Sequence, residues 1–467
     1  MITYQDFLAI DDTDKARADF VREVINHHKG SDVYKIAKMA EDYDRCRNTT
    51  IMNYQKLITL VTGQQVPDRW SATHRSTSNF FHIFVTQLNQ YLLGNGVQWE
   101  DEEEEKLGND FDHALQKIGH AALCGGVAYG FYNLNHVVPF TVLEFADIKD
   151  EETGKLAAGV RFWQISDDKP LRATHYEADG YTDYMWTKNA VGDDWQKIED
   201  NAYFRPKKPY TWVSVGDAKD REEGTEEIVP GMPFDGLPII PLYANSYHQS
   251  ELVGLQEKID AYDFILNGFE DDLDNAQIYW IIKGAGGMDD PDLQQFLDRL
   301  RIVGGAAPAE GQEVTPVTVQ IPVAARETLL ERLNRQLYRD AMIMNPEDIA
   351  SGATTATQIR AAYERQNVKA DQFEYCVLEF LYELMRVAGI DDNPSFTRSV
   401  IVNTSEELQN VLNSAQFLGE EYVITKVLTL LGDGDKAEEI IQKRIADEMA
   451  QIPQIEPTEE AATEEAE

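Results

Sequence analysis

The chain carries 9 histidines, 3 cysteines and 82 Asp plus Glu residues, so the side chains for metal binding, nucleophilic attack or acid–base catalysis are present and their spacing decides whether they are used. A helical zinc-protease site needs two histidines four apart with a glutamate beside the first, so that both imidazoles face one ion. His27-His28 and the pair His113 and His120 do not have that spacing, and no HExxH run occurs. Cys46, Cys124 and Cys376 form no CxxC pair, which indicates neither a zinc site nor a disulfide framework and fits free thiols in a reducing compartment. Gly284, Gly286 and Gly287 invite a phosphate loop, yet the Lys-Ser or Lys-Thr that would hold the phosphates is missing and Met288, Asp289 and Asp290 follow. There is no Gly-x-Ser-x-Gly elbow. The acidic run Asp101 to Glu105 lacks the glycine-bearing loop of a calcium site and reads as the solvated start of a helix. Carboxylates spread through every segment single out no acid and base pair. The expectation is a protein that is not an enzyme, with no catalytic residue, no metal ligand and no cofactor.

The strongest positional signal lies instead between residues 323 and 388. Leu329, Leu330, Leu333 and Leu337 fall at helical spacing, with Arg326, Arg332, Arg335 and Arg339 on the remaining positions, which predicts an amphipathic helix. Pro346 has no amide hydrogen and biases Asn345 away from the α region, so the helix is expected to stop near Met344, and Gly352 permits a sharp redirection. Thr355 and Gln358 form a capping box, from which Ile359, Tyr363, Ala370, Phe373, Val377, Leu381, Leu384 and Val387 carry one apolar stripe to Gly389. On local pattern alone this is a helical hairpin.

The preceding chain supplies the other elements. Residues 13 to 47 read as helices, and Phe80, Phe81, Phe84, Val85, Leu88, Tyr91, Leu92 and Leu93 as a buried helix ended by Gly94-Asn95-Gly96. Between Gly126 and Val215 the runs Tyr129 to Tyr132, Thr141 to Phe145, Val160 to Ile165, Tyr181 to Trp186 and Tyr210 to Val215 alternate as antiparallel strands do. Their aromatics, Trp163, Trp186, Trp195 and Trp212 among them, suit a half-buried sheet better than a sugar or base platform. Pro230 to Pro241 is turn-rich and reads as a junction between lobes. Ser246 and Gln249 make a capping box, after which Leu252, Leu255, Ile259, Tyr262, Leu266, Phe269 and Leu273 form a heptad seam. Glu251, Glu257, Asp260, Asp263, Glu270, Asp271 and Asp272 are placed on an acidic outer surface. Residues 276 to 283, 291 to 302 and 314 to 323 read as strand, helix and strand, a small βαβ-like insertion.

A formal net charge of -40 repels nucleic-acid backbones and anionic membranes at long range. No run approaches the roughly 18 apolar residues of a membrane span, and Asp6, Asp11 and Asp12 replace the basic start of a signal peptide, so a soluble cytosolic product is expected. At 467 residues, more than one core or lobe is expected.

The stretch Leu237-Pro-Ile-Ile-Pro-Leu-Tyr-Ala-Asn-Ser246, followed by Ser250-Glu-Leu-Val and Lys258-Ile-Asp-Ala-Tyr-Asp263, resembles the tailed-phage portal proteins of the SPP1 type, as does Ser351-Gly352-Ala353. The resemblance covers about residues 235 to 450 and is weakest in the sheet-rich part and the acidic tail from Glu456. It implies an α+β portal-type subunit: a wing of helices then antiparallel strands (1–245), a stem helix (246–273), a small α/β clip (274–322), a second stem helix (323–343), a tunnel loop (344–355), a long tunnel helix with a return strand around Arg398 to Val402 (356–403), a helical crown (404–450) and a disordered acidic tail (451–467).

The family's function is implied in turn: a ring-forming homo-oligomer, a dodecamer, at one vertex of the virion capsid, assembled in the host cytoplasm. Double-stranded DNA passes through it in packaging and ejection, while it docks the terminase large subunit and later the head-completion or tail connector protein, beside capsid and scaffolding protein. On this reading Asn345, Glu347, Asp348, Ser351, Gly352, Thr354 and Thr355 face the DNA channel. Leu252, Leu255, Ile259, Tyr262, Leu266 and Phe269 pack the stem, and Asp289, Asp290 and Asp292 in the clip meet partners. The competing readings are a cytosolic structural coiled-coil protein with no DNA role and an acidic hydrolase.

Overall fold

Thr13 and Ser31 start the first two long helices by the same device, a hydroxyl that accepts the amide three residues on: from Ala16 at 3.2 Å and from Tyr34 at 3.2 Å. They follow a short α1 (Tyr4–Leu8) and produce α2 (Asp14–Gly30) and α3 (Asp32–Asp44). The structure, a computed structural model, describes the chain except residues 1, 60–63, 69–72, 101–102, 189–194, 197–206, 216–226, 275–278, 284–312, 318–321, 348–355, 400–403, 416, 418, 432–435, 437–439 and 445–467.

After α4 (Thr49–Met52) and a hairpin of β1 (Leu57–Thr59) and β2 (Gln65–Pro67) comes α5 (Phe80–Leu93), whose eight expected apolar positions are all buried. β3 (Val97–Gln98) and a 3₁₀ turn at Glu103–Leu107 lead to α6 (Phe111–Gly125). Gly126 ends α6 at φ 87°, a left-handed turn that a side chain resists, and a Cβ there would lie 2.7 Å from the His248 carbonyl oxygen.

The sheet region is antiparallel, as expected. β4 (Val127–Tyr132) and β5 (Val137–Thr141) are a hairpin; β6 (Phe145–Lys149), β7 (Leu156–Trp163), β8 (Leu171–Glu177), β9 (Gly180–Lys188) and β10 (Trp195–Gln196) form a five-stranded meander in sequence order. Residues 142–144 form the turn between β5 and β6, so Thr141 to Phe145 is not a strand; the Glu144 amide bonds the Thr141 carbonyl at 3.1 Å. β11 (Thr211–Val215) pairs with β12 (Glu227–Gly231), and β13 (Ile239–Tyr243) adds to β4, giving the order β13-β4-β5. The proline-rich stretch expected as a junction thus ends as a strand of the sheet itself, because Ile239, Ile240 and Leu242 bury their side chains there. Trp186 and Tyr184 pack with Phe20, Val24 and Ile25 of α2, and Phe131, Phe140, Phe145 and Tyr176 form a second cluster, so these aromatics are core; Trp212 is exposed.

Gly159 on β7 shows how closely that core is filled. A Cβ there would lie 2.1 Å from Cζ of the fully buried Phe145 ring, two rungs away on the neighbouring strand. Gly159→Ala is expected to cost about 2–3 kcal/mol by overpacking, read as a lower urea midpoint at constant slope. An unchanged midpoint would show that the ring relaxes freely.

His175 on β8 is 1% exposed, edge-on to Phe7. Burial, aided by the Lys207 and Arg17 charges, pushes its pKa down from 6.5 to about 3. The unfolded chain therefore takes up a proton below pH 6.5 that the folded chain refuses until about pH 3. His175 adds stability above pH 6.5, and that contribution falls by up to about 1.4 kcal/mol per pH unit on acidification. His175→Gln is expected to flatten the stability profile between pH 4 and 6, measured by denaturant titration; parallel wild-type and variant profiles would contradict this.

The remaining elements are α7 (Gln256–Asp274), β14 (Tyr279–Lys283), β15 (Glu313–Val317), α8 (Val323–Ala341), α9 (Ala356–Ala388), β16 (Ser395–Phe396), α10 (Thr404–Ser414) and α11 (Glu420–Leu431). β14 and β15 pair antiparallel, which corrects the βαβ-like expectation; the helix expected at 291–302 lies outside the described residues. Residues 397–399 are not strand: β16 is two residues long and pairs with β3, while Arg398 forms ion pairs with Asp371 and Glu374 on α9. The described part of the α9 stripe is buried as expected, from Tyr363 through Ala370, Phe373, Val377, Leu381 and Leu384 to Val387. The chain divides into two compact units, residues 1–344 with 365–399, and 345–364 with 400–467; in the second, α10 packs against α11. Among the described residues no helix is long and apolar enough to cross a membrane.

Candidate functional site

α7 begins at Gln256, ten residues after the capping box placed at Ser246. Asn245 takes that turn instead: its Oδ1 accepts the amides of Tyr247 at 3.1 Å and Gln249 at 3.2 Å, and its Nδ2 donates to the Gln249 carbonyl at 3.0 Å. The Glu251 amide then bonds the Leu123 carbonyl at 3.0 Å, so this segment closes the end of α6. Leu252 and Leu255 lie in the turns before α7 and, with Ile259, are buried inside their own subunit. These three are therefore not free to pack a neighbouring subunit.

The row that α7 buries after Ile259 is polar, which corrects two of the seven acids expected on its outer surface, Asp263 and Asp271; Glu257 is exposed and Glu251, Asp260, Glu270 and Asp272 are partly so. Asp263, Asn267 and Asp271 are 0%, 5% and 8% exposed, and each meets the extended segment 74–78. Asp263 accepts the Ser78 amide at 3.0 Å and the side-chain amide of Asn48. Asn267 accepts the Ser76 amide at 2.6 Å and donates to the Ser76 carbonyl at 2.8 Å. Asp271 accepts the His74 amide at 2.7 Å and faces His74 Nδ1 at 2.8 Å. Four helical residues advance about 6 Å, and two extended residues advance about 6.6 Å, so every fourth residue of α7 meets every second residue of the strap. Before the ladder, Thr50 at 2.8 Å and Tyr43 donate to Asp260.

Burial raises the Asp263 carboxyl above the usual range even though Asn48 and Ser78 favour its charge. The hydrogen bond that His74 donates to Asp271 raises the imidazole above 6.5, with Asp274 at 3.1 Å from the other ring nitrogen. That rung holds its charge below pH 6.5 and loosens as pH rises through the raised value.

α8 pairs with α7. Lys258 reaches Asp340 at 2.8 Å, and Arg326 bonds Asp272 and, at 3.1 Å, the Gly268 carbonyl. α8 stops at Ala341, three residues before the expected Met344, because Met342 adopts a left-handed φ of 57°; its amide bonds Arg339 and that of Ile343 bonds Tyr338 at 3.1 Å, a Schellman ending. The root of the following loop is clamped on both backbone groups. Gln366 of α9 accepts the Met344 amide at 3.0 Å, Gln87 of α5 donates to its carbonyl at 3.1 Å, and Lys369 holds the Ala341 carbonyl at 2.8 Å. Asn345 is buried and accepts the Glu347 amide at 3.1 Å; Glu347 is exposed.

Among the described residues this arrangement brings no nucleophile together with a base; it is a hydrogen-bonded mount for a helix pair and for Met344, where the following loop starts. The sequence pattern of the phage portal proteins, SPP1 Gp6-like, matches residues 6–451. The chain belongs to this family. The portal protein of Bacillus phage SPP1 is 24% identical over 423 residues, covering 84% of this chain and 79% of that one. The portal protein of Clostridium phage phiCD119 is 20% identical over 395 residues, 76% of this chain and 81% of the relative. Among solved structures, a chain from "Neck of native GTA particle computed with C12 symmetry" has a TM-score of 0.41 at 11% identity, over 74% of this chain and 89% of that chain, a likeness too loose to bear on the architecture.

For this portal chain, Tyr262, Leu266 and Phe269 are half-buried on α7, with Tyr262 edge-on to Phe80 at 5.0 Å. Asp348, Ser351, Gly352, Thr354 and Thr355, and the clip residues Asp289, Asp290 and Asp292, lie outside the described residues. Sequence reasoning missed the ladder, Gln87, Gln366 and Lys369; the one local signal was the recurrence of Asp263, Asn267 and Asp271 every four residues, a row that continues from the buried Ile259 along the flank of the leucines.

Proposed function

We propose that this portal chain assembles into a dodecameric ring through whose axis double-stranded DNA enters the capsid during packaging and leaves at ejection, and that it hydrolyses nothing itself. The observation that carries the reading is the family match along residues 6–451. Residues 246–273 and 323–343 serve as the stem, 274–322 as the clip, 356–388 as the tunnel helix and 404–450 as the crown, with 1–245 forming the wing. Phe264, Leu273 and Leu329 on α7 and α8 are exposed in the single chain and, with the half-buried Tyr262, Leu266 and Phe269, supply lateral contact between subunits. Glu347, Asp348, Ser351, Gly352, Thr354 and Thr355 face the DNA, whereas Asn345, expected among them, is buried and serves to turn the backbone by accepting the Glu347 amide. Acidic groups there repel phosphates, so the duplex slides where lysines would hold it. Asp289, Asp290 and Asp292 dock the terminase large subunit and later the head-completion or tail connector protein, and capsid and scaffolding protein surround the wing.

Heads assembled in vitro with and without the chain, then supplied with terminase, ATP and DNA, test this role. Nuclease-protected DNA only in heads containing the chain is expected; equal protection in both would remove the portal reading.

A further inference from the structure

The geometry points to a transition-metal site of the zinc class where α3, α5 and α6 meet, with Asp44, His120 and Cys124 as ligands. Asp44 is the last residue of α3, and His120 and Cys124 stand one turn apart on one face of α6. The donor atoms of these three residues all lie within 4.8 Å of one another, the one such group of three among the described residues. A tetrahedral zinc site spaces its donors by about 3.5 Å, given metal–ligand bonds near 2.0–2.3 Å, so small side-chain rotations close the set. His120 Nε2 already faces Asp44 Oδ2 at 3.0 Å. The other carboxylate oxygen, Oδ1, is held by His82 Nδ1 of α5 at 3.0 Å, the outer contact that orients a ligating carboxylate. Imidazole, carboxylate and thiolate together suit zinc or cobalt and suit magnesium or calcium poorly. The site rests on helices whose positions are fixed by packing, while the Asp44 and His120 side chains are 19% and 29% exposed, which leaves the ion a route in and a solvent position as fourth ligand.

The ion fastens the last turn of α3, where the neighbouring Tyr43 hydroxyl holds Asp260 of α7, so it stiffens the mount of the helix pair. On binding, the Cys124 thiol releases its proton to solvent and the sulfur donates to the metal, with no redox change.

The test uses the full-length chain, stripped with chelator and kept reduced, and titrated with Co²⁺ alone. A sulfur-to-cobalt charge-transfer band saturating at one ion per chain is expected, displaced by Zn²⁺, with a higher Tm in zinc. Cys124→Ser should remove the band. His120→Ala should weaken binding about 100-fold or more and His82→Ala about tenfold, given the usual cost of losing an outer contact. His113→Ala, exposed on the same helix, should change nothing. X-ray absorption of the wild-type zinc form, which needs no variant to fold, should show one sulfur neighbour. No band in the wild type, a band that survives Cys124→Ser, or a zinc shell without sulfur would each overturn the site and leave a hydrogen-bonded Asp–His cluster.

Discussion

Asn267→Leu is expected to lower the unfolding free energy by about 3 kcal/mol, because it leaves both the Ser76 amide and the Ser76 carbonyl without their partner, at roughly 1–3 kcal/mol each. Leucine matches the volume but offers no donor or acceptor; Asn267 is 5% exposed, while Ser76 is exposed, so water offsets part of the loss and the expected cost stays below the sum of the two maxima. Asp263 and Asp271 each hold one rung on either side, so losing the middle rung loosens a strap that has little apolar burial of its own. Urea unfolding should show a lower midpoint at unchanged slope, and protease should cut within 73–79 more readily in the variant. A shift below about 0.5 kcal/mol, the range of ordinary surface substitutions, would show that the ladder does not hold α7.

The largest functional effect is expected from Glu347→Lys combined with Asp348→Lys. Glu347 is exposed just past the clamped Met344, and a ring repeats the change in every subunit. Repulsive charges become phosphate contacts, each adding about 0.9 to the slope of log affinity against log salt. The double variant should assemble normally, since neither residue is part of α7 or α8, yet retain linear DNA at low salt and package slowly, recovering as ionic strength rises. Packaged length against salt in a motor assay measures this. Wild-type rate and length at low salt would mean that the loop does not approach the duplex.

What sequence could reveal followed from what periodicity measures. The leucine and aromatic stripes of α5 and α9 report apolar burial directly, and from Phe80 to Leu93 and from Tyr363 to Val387 the expected residues are buried where the spacing puts them. α7 was misread for the same reason. Its leucines fit a seam and its acids a wet face, whereas Asp263, Asn267 and Asp271 are buried by amides nearly 200 residues earlier in the chain, a pairing no local pattern carries. The early start given to α7 came from Ser246 and Gln249, a spacing that Asn245 overrides by turning the backbone itself. At the loop, Pro346 marked the break correctly, but the left-handed Met342 that ends α8 bears no sequence mark, because glycine is the usual residue there. The Asp44, His120 and Cys124 group was hidden because its ligands come from two helices and only His120 and Cys124 share a local spacing.

Single-particle electron microscopy of the purified full-length chain tests the central claim most directly. The account predicts closed rings with an axial channel wide enough for a B-form duplex, present without DNA or other phage proteins. Monomers, open filaments, or rings whose centre is filled by protein would contradict it.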